Sequence, residues 1–200
     1  VVVDGKRERA VVPERTRRLD RVGESPDGKW KIQFTNHNIV LVEKKSGGAT
    51  QLTQDGTEEK PYRGPAAWSP DSQSCVVQSV RTVKPRVVTL VESSPRDQLQ
   101  PKVQTYDYFK PGDDLPQPRP QLIRVLDKSL RSVTNDLFPS FFTEDGQLDI
   151  RWSPDGREFY FDYNQRGHQL YRLIAVNATN AAVRVVVEET SRTFVDYSNK

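Results

Sequence analysis

The stretch Trp-Ser-Pro-Asp-Ser at residues 68–72 decides how this 200-residue sequence is interpreted, because it belongs to a repeat. Ser-Pro-Asp followed by Gly also occurs at Ser25–Gly28 and Ser153–Gly156, so the copies begin 44 and 84 residues apart. Proline fixes one dihedral angle of a turn, and Asp and Gly tolerate the bend that follows, so each copy predicts a tight turn. A period of about 40–50 residues is typical of the four-stranded blades of a β-propeller. The second interval is about twice this period, so one copy of the motif is missing between the second and third turns.

The apolar residues agree with this interpretation. The sequence has 24 Val but only 8 Ala and 13 Leu, and branched side chains pack better on a pleated sheet than on a helix. Trp30, Ile32 and Phe34 alternate with polar residues, as half-buried strands do, and no segment keeps a helical apolar stripe over three turns. We therefore predict an all-β fold, in which the chain is a β-propeller fragment of about four four-stranded blades. Residues 1–200 are predicted to form part of one propeller domain.

The missing copy of the motif coincides with the least regular part of the sequence. Residues 111–120 contain four prolines, and proline cannot donate to a sheet ladder. The polar segment before these prolines contains Val103, Tyr106 and Tyr108, whose side chains can be buried. We expect Ser93–Pro120 to form one irregular blade with long excursions.

Composition argues against several classes of protein. The 30 basic and 27 acidic residues give a formal charge of +3 with both signs interspersed, so we expect no nucleic-acid partner. No apolar run approaches the roughly 18 residues of a membrane-spanning helix. The sequence begins at Val1 and contains no methionine, so we expect it to be a processed product or a piece of a longer polypeptide.

Side chains that usually carry catalysis or bind metals are scarce. Cys75 is the single cysteine and lies in an apolar segment, so it is expected to be a small core residue. His37 and His168 lie in predicted turns, and neither is next to a nucleophile motif. Two isolated histidines make a poor metal site, and no Gly-rich phosphate loop precedes a helix. We expect no catalytic residue, metal site or cofactor in this chain.

Three segments in a fixed order resemble the N-terminal propeller of bacterial-type dipeptidyl peptidase IV-like enzymes, which belong to the prolyl oligopeptidase family of serine peptidases. They are Trp68–Ser72, Tyr108–Gly112 and Val187–Asp196. The resemblance implies an eight-bladed propeller seated on an α/β-hydrolase domain that carries Ser, Asp and His in that order. No Gly-x-Ser-x-Gly pentapeptide occurs in the 200 residues, so the implied catalytic domain lies outside this sequence. The resemblance also implies a periplasmic or extracellular location.

A substrate-binding pair is implied by the same resemblance. In these peptidases two adjacent propeller glutamates bind the α-amine of the peptide, because two carboxylates compete well with water for an ammonium group. Glu58 and Glu59 lie ten and nine residues before Trp68, close to the family offset. The aromatic residues that normally introduce the pair are absent, and Asp-Gly followed by polar residues also describes an exposed turn. Both an amine anchor and a solvated loop therefore stay open. The second pair, Glu188–Glu189, matches a structural part of the family pattern.

The leading hypothesis is a propeller that gates and positions peptide substrates for a separate hydrolase domain of the same parent chain. The alternative is a non-catalytic propeller that acts as a protein-interaction scaffold of the TolB type. The Pro-rich excursion Tyr106–Pro120 favours the peptidase, because a regular scaffold has no need of it. A carbohydrate-binding β-sandwich would require the repeat period to be a coincidence. An incomplete ring exposes strand edges and apolar blade faces, so we also expect self-association.

Overall fold

The computed structural model describes residues 2–3, 6–7, 23–143 and 145–196, and its regular structure in these residues is entirely β. Strands β1 (Val2–Val3) and β2 (Lys6–Arg7) form a two-stranded pair by themselves. The other strands form four antiparallel sheets, which confirms the all-β prediction. Their bounds are β3 (Trp30–Thr35), β4 (Asn38–Glu43), β5 (Ala49–Gln51), β6 (Tyr62–Trp68), β7 (Ser74–Arg81), β8 (Arg86–Glu92), β9 (Lys102–Tyr108), β10 (Gln117–Arg124), β11 (Ser129–Ser132), β12 (Arg151–Trp152), β13 (Glu158–Asn164), β14 (Leu170–Asn177) and β15 (Val183–Thr190).

Three of the sheets have the up-and-down strand order of propeller blades. Blade 1 contains β3, β4 and β5, and an isolated bridge from Glu24 to Lys31 adds a short first strand beside β3. Blade 2 contains β6, β7, β10 and β11 in that spatial order, and blade 3 contains β12 to β15. The predicted propeller architecture is therefore present as a succession of small antiparallel sheets.

The Ser-Pro-Asp turns stand at the same place in each blade and have the same hydrogen bonds. In every copy the serine hydroxyl donates to the aspartate carboxylate over 2.6 Å, as between Ser69 and Asp71. The same hydroxyl oxygen accepts the backbone N–H five residues later, at 2.9 Å from Ser74 in blade 2. A turn that forms these hydrogen bonds within itself can begin each long strand.

Tryptophan side chains link consecutive blades. The indole Nε1–H of Trp68 donates to the Gly23 carbonyl in the blade 1 segment over 3.0 Å. In blade 3, the corresponding group of Trp152 donates to the Ala67 carbonyl of blade 2 over 2.9 Å. The Trp that precedes the Ser-Pro-Asp turn thus bonds to the first strand of the preceding blade.

Blade 2 is buried on both faces. Cys75 and Val77 of β7 pack into a core with blade 1, whereas Val76 between them packs into a core with blade 3. Alternating residues of a strand point to opposite faces of its sheet, so β7 reads as a continuous apolar segment. Cys75 is fully buried, and burial raises the pKa of its thiol well above 9.0. It is the small core residue that the sequence predicted.

The region assigned to a fourth blade has a different structure. Strands β8 and β9 pair only with each other, and β10 returns to blade 2 beside β7. The interpretation of Ser93–Pro120 as one irregular blade is therefore wrong. The long gap between the second and third turns arises because blade 2 contains an excursion, the hairpin β8–β9, between its second and third strands.

The hairpin β8–β9 is exposed on both faces. Val88 is half-buried, whereas the other apolar side chains are between 45% and 65% exposed: Val87, Leu90, Val91, Val103, Tyr106 and Tyr108. Elsewhere, none of the residues that the structure describes belongs to a helix long and apolar enough to cross a membrane.

Candidate functional site

Strand direction defines two ends of the blades. The Ser-Pro-Asp turns lie at one end, where β7 and β13 begin. The opposite end, here called the site end, carries the segments before β6 and before β10 and the β13–β14 turn. Register places them together within blade 2, because Tyr62 pairs with Ser79 and Gln117 pairs with Arg81.

Glu58 and Glu59 lie at the site end, immediately before β6. Their carbonyl oxygens are fixed by Thr82, the residue that follows β7. The Thr82 N–H donates to the Glu59 carbonyl over 2.8 Å, and the Thr82 hydroxyl lies 3.3 and 3.1 Å from the Glu58 and Glu59 carbonyls. The backbone of the pair is therefore attached to the end of the buried strand β7.

The segment leading to the glutamates is also anchored. Gly56 N–H donates to Asn38 Oδ1 over 2.9 Å, and a Cβ at Gly56 would lie 2.1 Å from the carbonyl oxygen of His37. The Tyr62 hydroxyl donates to Asp55 Oδ1 over 2.9 Å. Burial and the neighbouring Asp55 carboxylate raise the pKa of Tyr62 to about 12. The Asp-Gly turn is thus packed against the β3–β4 turn of blade 1.

The carboxylates themselves are available. Both glutamate side chains are exposed, and neither has a hydrogen bond or an ion pair with any residue in the described part of the chain. An anchored backbone with two adjacent unpaired carboxylates can offer acceptors to an ammonium group. The second pair differs, because Glu188 Oε2 lies 2.7 Å from Arg172 Nε and forms an ion pair within blade 3.

A cationic cavity of about 640 Å³ opens at the site end between blades 2 and 3. Its basic residues come from four separate segments: before β6, the end of β7, the start of β10 and the β13–β14 turn. Asp114 is the single acidic residue among the described lining residues. The lining comprises Lys60, Arg81, Asp114, Leu115, Gln117, Pro118, Arg119, Asn135, Phe138, Pro139, Ser140 and Arg166.

A second cavity of about 480 Å³ adjoins the first at Leu115 and Arg166, which line both. It lies at the base of the hairpin β8–β9, with the aromatic side chains of Tyr108, Phe109 and Phe142 in its wall. The two cavities therefore lie next to each other at the site end.

The histidines occupy turns, as the sequence predicted. His37 has a left-handed backbone (φ +66°) in the β3–β4 turn. His168, in the β13–β14 turn, packs its ring against Phe142 and Phe194, with ring centres 4.4 and 5.1 Å apart. The described residues contain no group of three or more His, Cys, Asp and Glu side chains that could hold a metal ion.

The glutamate pair was a candidate from the sequence, whereas the cationic cavity was not. Arg81, Arg119 and Arg166 are isolated single arginines in the sequence, and no local motif connects them. They meet because β10 pairs with β7 after the hairpin excursion and because blade 3 packs on blade 2. The sequence contains no local signal for this site, because it depends on the pairing of β10 with β7.

Comparisons with known proteins identify the family. The family described as the dipeptidyl peptidase IV (DPP IV) N-terminal region matches residues 3–200. The crystal structure of Porphyromonas gingivalis dipeptidyl peptidase 4 superposes with a TM-score of 0.61 at 19% identity, covering 86% of this chain and 26% of that one. A putative dipeptidyl aminopeptidase IV from Bacteroides ovatus ATCC 8483 gives a TM-score of 0.46 at 14% identity, over 84% of this chain and 29% of that one.

The coverage and the sequence identity of these matches determine which conclusions they support. This chain spans roughly a quarter of the length of the P. gingivalis protein, and at 19% identity the likeness establishes the propeller fold. No curated protein matches the chain. The family match over nearly all of the sequence establishes the membership: this chain belongs to the dipeptidyl peptidase IV N-terminal region family.

Proposed function

We propose that this propeller domain gates and positions peptides for a serine peptidase domain of the same parent chain, which releases dipeptides. The observation that carries the proposal is the position of Glu58 and Glu59. Their backbone is held by Thr82 at the site end, while their carboxylates have no partner among the described residues. Two such carboxylates would bind the free N-terminal ammonium of a peptide and set how far the chain extends towards the nucleophile.

Positioning by the amine explains how a domain without a nucleophile contributes to peptidase activity. When the ammonium group is bound at a fixed distance from the nucleophile, only the peptide bond after the second residue reaches the nucleophile. The same two residues are therefore always removed. Because fixing the reacting bond in register converts binding energy into rate, losing the anchor should lower kcat as well as weaken binding, so kcat/KM falls through both.

The test uses the full-length protein with Glu58→Gln and Glu59→Gln, separately and together. Each change keeps the side-chain shape and removes one charge. We expect dipeptide release from a peptide with a free amine to fall at least about tenfold in kcat/KM for each variant, since charge-assisted hydrogen bonds contribute about 1.5–3 kcal/mol. The matched control is Glu43→Gln, at the other end of blade 1, where Glu43 accepts from the Ser46 hydroxyl over 2.7 Å.

The same peptide with an acetylated amine separates the outcomes. The proposal requires that the native protein prefer the free amine and that the glutamate variants lose this preference. Equal turnover of both peptides by the native protein would exclude an amine anchor. A full-length protein that releases no dipeptide from either peptide would favour the scaffold alternative.

We also propose that the chain self-associates. The hairpin β8–β9 supports this, because an isolated two-stranded sheet is only marginally stable in water. Its exposed apolar side chains would be covered by the same hairpin of a second copy.

A further inference from the structure

The cationic cavity has more positive charge than its own residues neutralise. Arg119 Nη1 donates to the neutral Asn135 Oδ1 over 3.0 Å, and Arg166 Nη2 lies 3.4 Å from the Lys110 carbonyl oxygen. Neither guanidinium forms an ion pair with a residue that the structure describes. Arg81 does have an acidic neighbour, Asp114, with Nη1 and Oδ2 separated by 3.6 Å.

Lys60 increases this excess, because its ammonium group also has no acidic partner in the described ranges. The four cations of the lining therefore face a single carboxylate. Like charges brought together in a concave surface repel one another, and this repulsion is relieved when an anion enters. The side chains are exposed or half-buried, so no large desolvation penalty keeps them from a ligand.

The cavity lining is adjacent to the glutamate pair along the chain. Lys60 of the cavity lining directly follows Glu59, and Arg81 directly precedes Thr82, whose hydroxyl and N–H hold the glutamate backbone. The two unpaired carboxylates and the cations of the cavity thus lie at the same end of blades 2 and 3. A ligand with a positive and a negative group would match both.

We propose that the cationic cavity binds a carboxylate of the peptide whose N-terminal ammonium is held by Glu58 and Glu59. This inference rests on the proposed function of the pair. Arg119 and Arg166 supply planar donor groups that fit the two oxygens of a carboxylate, and Lys60 adds a point charge. The carboxylate is either an acidic side chain near the N-terminus or the C-terminal carboxylate of a short peptide.

The experiment measures binding, so that it does not depend on the proposed activity. Fluorescent peptides with an N-methylated second peptide bond, which resists cleavage, are titrated into the full-length protein. One peptide is neutral and amidated, one has an internal Glu and an amidated end, and one is neutral with a free C-terminus. We expect one or both of the carboxylate peptides to bind at least about tenfold more tightly than the amidated neutral peptide.

The variants Arg119→Gln and Arg166→Gln should remove most of that gain while leaving the Kd of the neutral peptide unchanged. The matched control is Arg157→Gln, an exposed arginine beside Asp155 at the opposite end of blade 3. Which carboxylate peptide gains affinity identifies the source of the anion. Equal Kd values for all three peptides, or a gain that survives both cavity variants, would overturn the proposal.

Failure of this inference is distinguishable from failure of the amine anchor. If Glu58→Gln weakens all three peptides but the arginine variants weaken none, the anchor stands and the carboxylate site is excluded. If the arginine variants abolish the carboxylate preference but Glu58→Gln leaves the Kd of every peptide unchanged, the cavity binds anions and the amine anchor is excluded.

Discussion

The backbone N–H of Asp27 donates to the hydroxyl oxygen of Ser72 over 3.0 Å, which joins the Ser-Pro-Asp turn of blade 1 to that of blade 2. Ser72 has a left-handed backbone (φ +62°), at the position where Gly28 and Gly156 stand in the other two copies. A serine is strained there, whereas glycine is not. The contact with Asp27 gives a physical reason why the middle copy ends in Ser rather than Gly.

Two substitutions at Ser72 separate the strain from the hydrogen bond. Ser72→Ala keeps the Cβ in the left-handed conformation and removes the acceptor, so we expect the free energy of unfolding to fall by about 1 kcal/mol. Ser72→Gly loses the same bond but relieves the strain, so it should be less destabilising than Ser72→Ala. Urea denaturation measures both. Equal losses for the two variants would mean that the backbone strain at Ser72 is negligible.

The tryptophan contacts between blades predict an unequal response to Trp→Phe substitution. Trp68 and Trp152 each donate to a carbonyl of the preceding blade, and a phenyl ring leaves that carbonyl without its donor. The indole N–H of Trp30 has no such partner in the described part of the chain, so Trp30→Phe is the matched control for ring size. We expect Trp68→Phe and Trp152→Phe each to cost about 1–2 kcal/mol more than Trp30→Phe in chemical denaturation. Similar losses at all three positions would show that these hydrogen bonds add nothing beyond ring packing.

The blade repeat could be predicted from sequence because its determinants are local. A Ser-Pro-Asp turn forms its hydrogen bonds within six residues, and the alternation of Cys75, Val76 and Val77 between two cores follows from strand geometry alone. The hairpin excursion could not be predicted in the same way. Whether a strand pairs with its immediate successor or with β10 depends on contacts that are distant in sequence, so an inserted hairpin and a missing blade give the same spacing of motifs.

The same distinction between local and distant determinants applies to the candidate site. Glu58 and Glu59 could be proposed from the sequence because they lie at a fixed distance from a recognisable motif, Trp68–Ser72. Their anchoring by Thr82 depends on the antiparallel pairing of β6 with β7 and has no counterpart in the local sequence. The cationic cavity combines four segments from two blades, so each of its arginines looks like an ordinary surface residue until the sheets are assembled.

The turn aspartates predict a loss of stability in acid. The Ser25 hydroxyl lowers the pKa of Asp27, and the Ser153 hydroxyl lowers that of Asp155, below the ordinary value of 3.8. As the pH falls, the unfolded chain takes up protons first, so stability is retained above about pH 4 and decreases as the pH passes through the lowered folded-state values. Carbon-13 titration of the carboxyl groups by NMR should show Ser153→Ala raising the pKa of Asp155 towards 3.8. Asp27 in the same variant is the internal control, and a coincident rise there would indicate general unfolding.

Gly56 is predicted to be indispensable for placing the glutamate pair. A Cβ at this position would lie 2.1 Å from the backbone oxygen of His37, so in Gly56→Ala the turn must move away from blade 1. We expect a loss of about 1–3 kcal/mol, as for overpacking elsewhere, together with a weaker preference for free-amine peptides. Gly48→Ala, where the nearest neighbour is the side chain of Ser46 at 3.1 Å, is the control and should change stability by less than about 0.5 kcal/mol. A Gly56→Ala protein as stable and as amine-selective as Gly48→Ala would contradict the anchoring.

The hairpin β8–β9 predicts concentration-dependent association that polar substitutions on one face will suppress. Val91 and Val103 are directly opposite each other across the two strands and are 59% and 65% exposed. Replacing them together by Val91→Glu and Val103→Lys removes apolar surface while a cross-strand charge pair preserves the hairpin. We expect light scattering to report a smaller mass at equal concentration for this double variant than for the native protein. Leu126→Gln, which changes an 87% exposed residue at the turn end of blade 2, should leave the mass unaltered. A native protein that is strictly monomeric at all concentrations would rule out association through the hairpin, and a double variant that still associates would assign it to another surface.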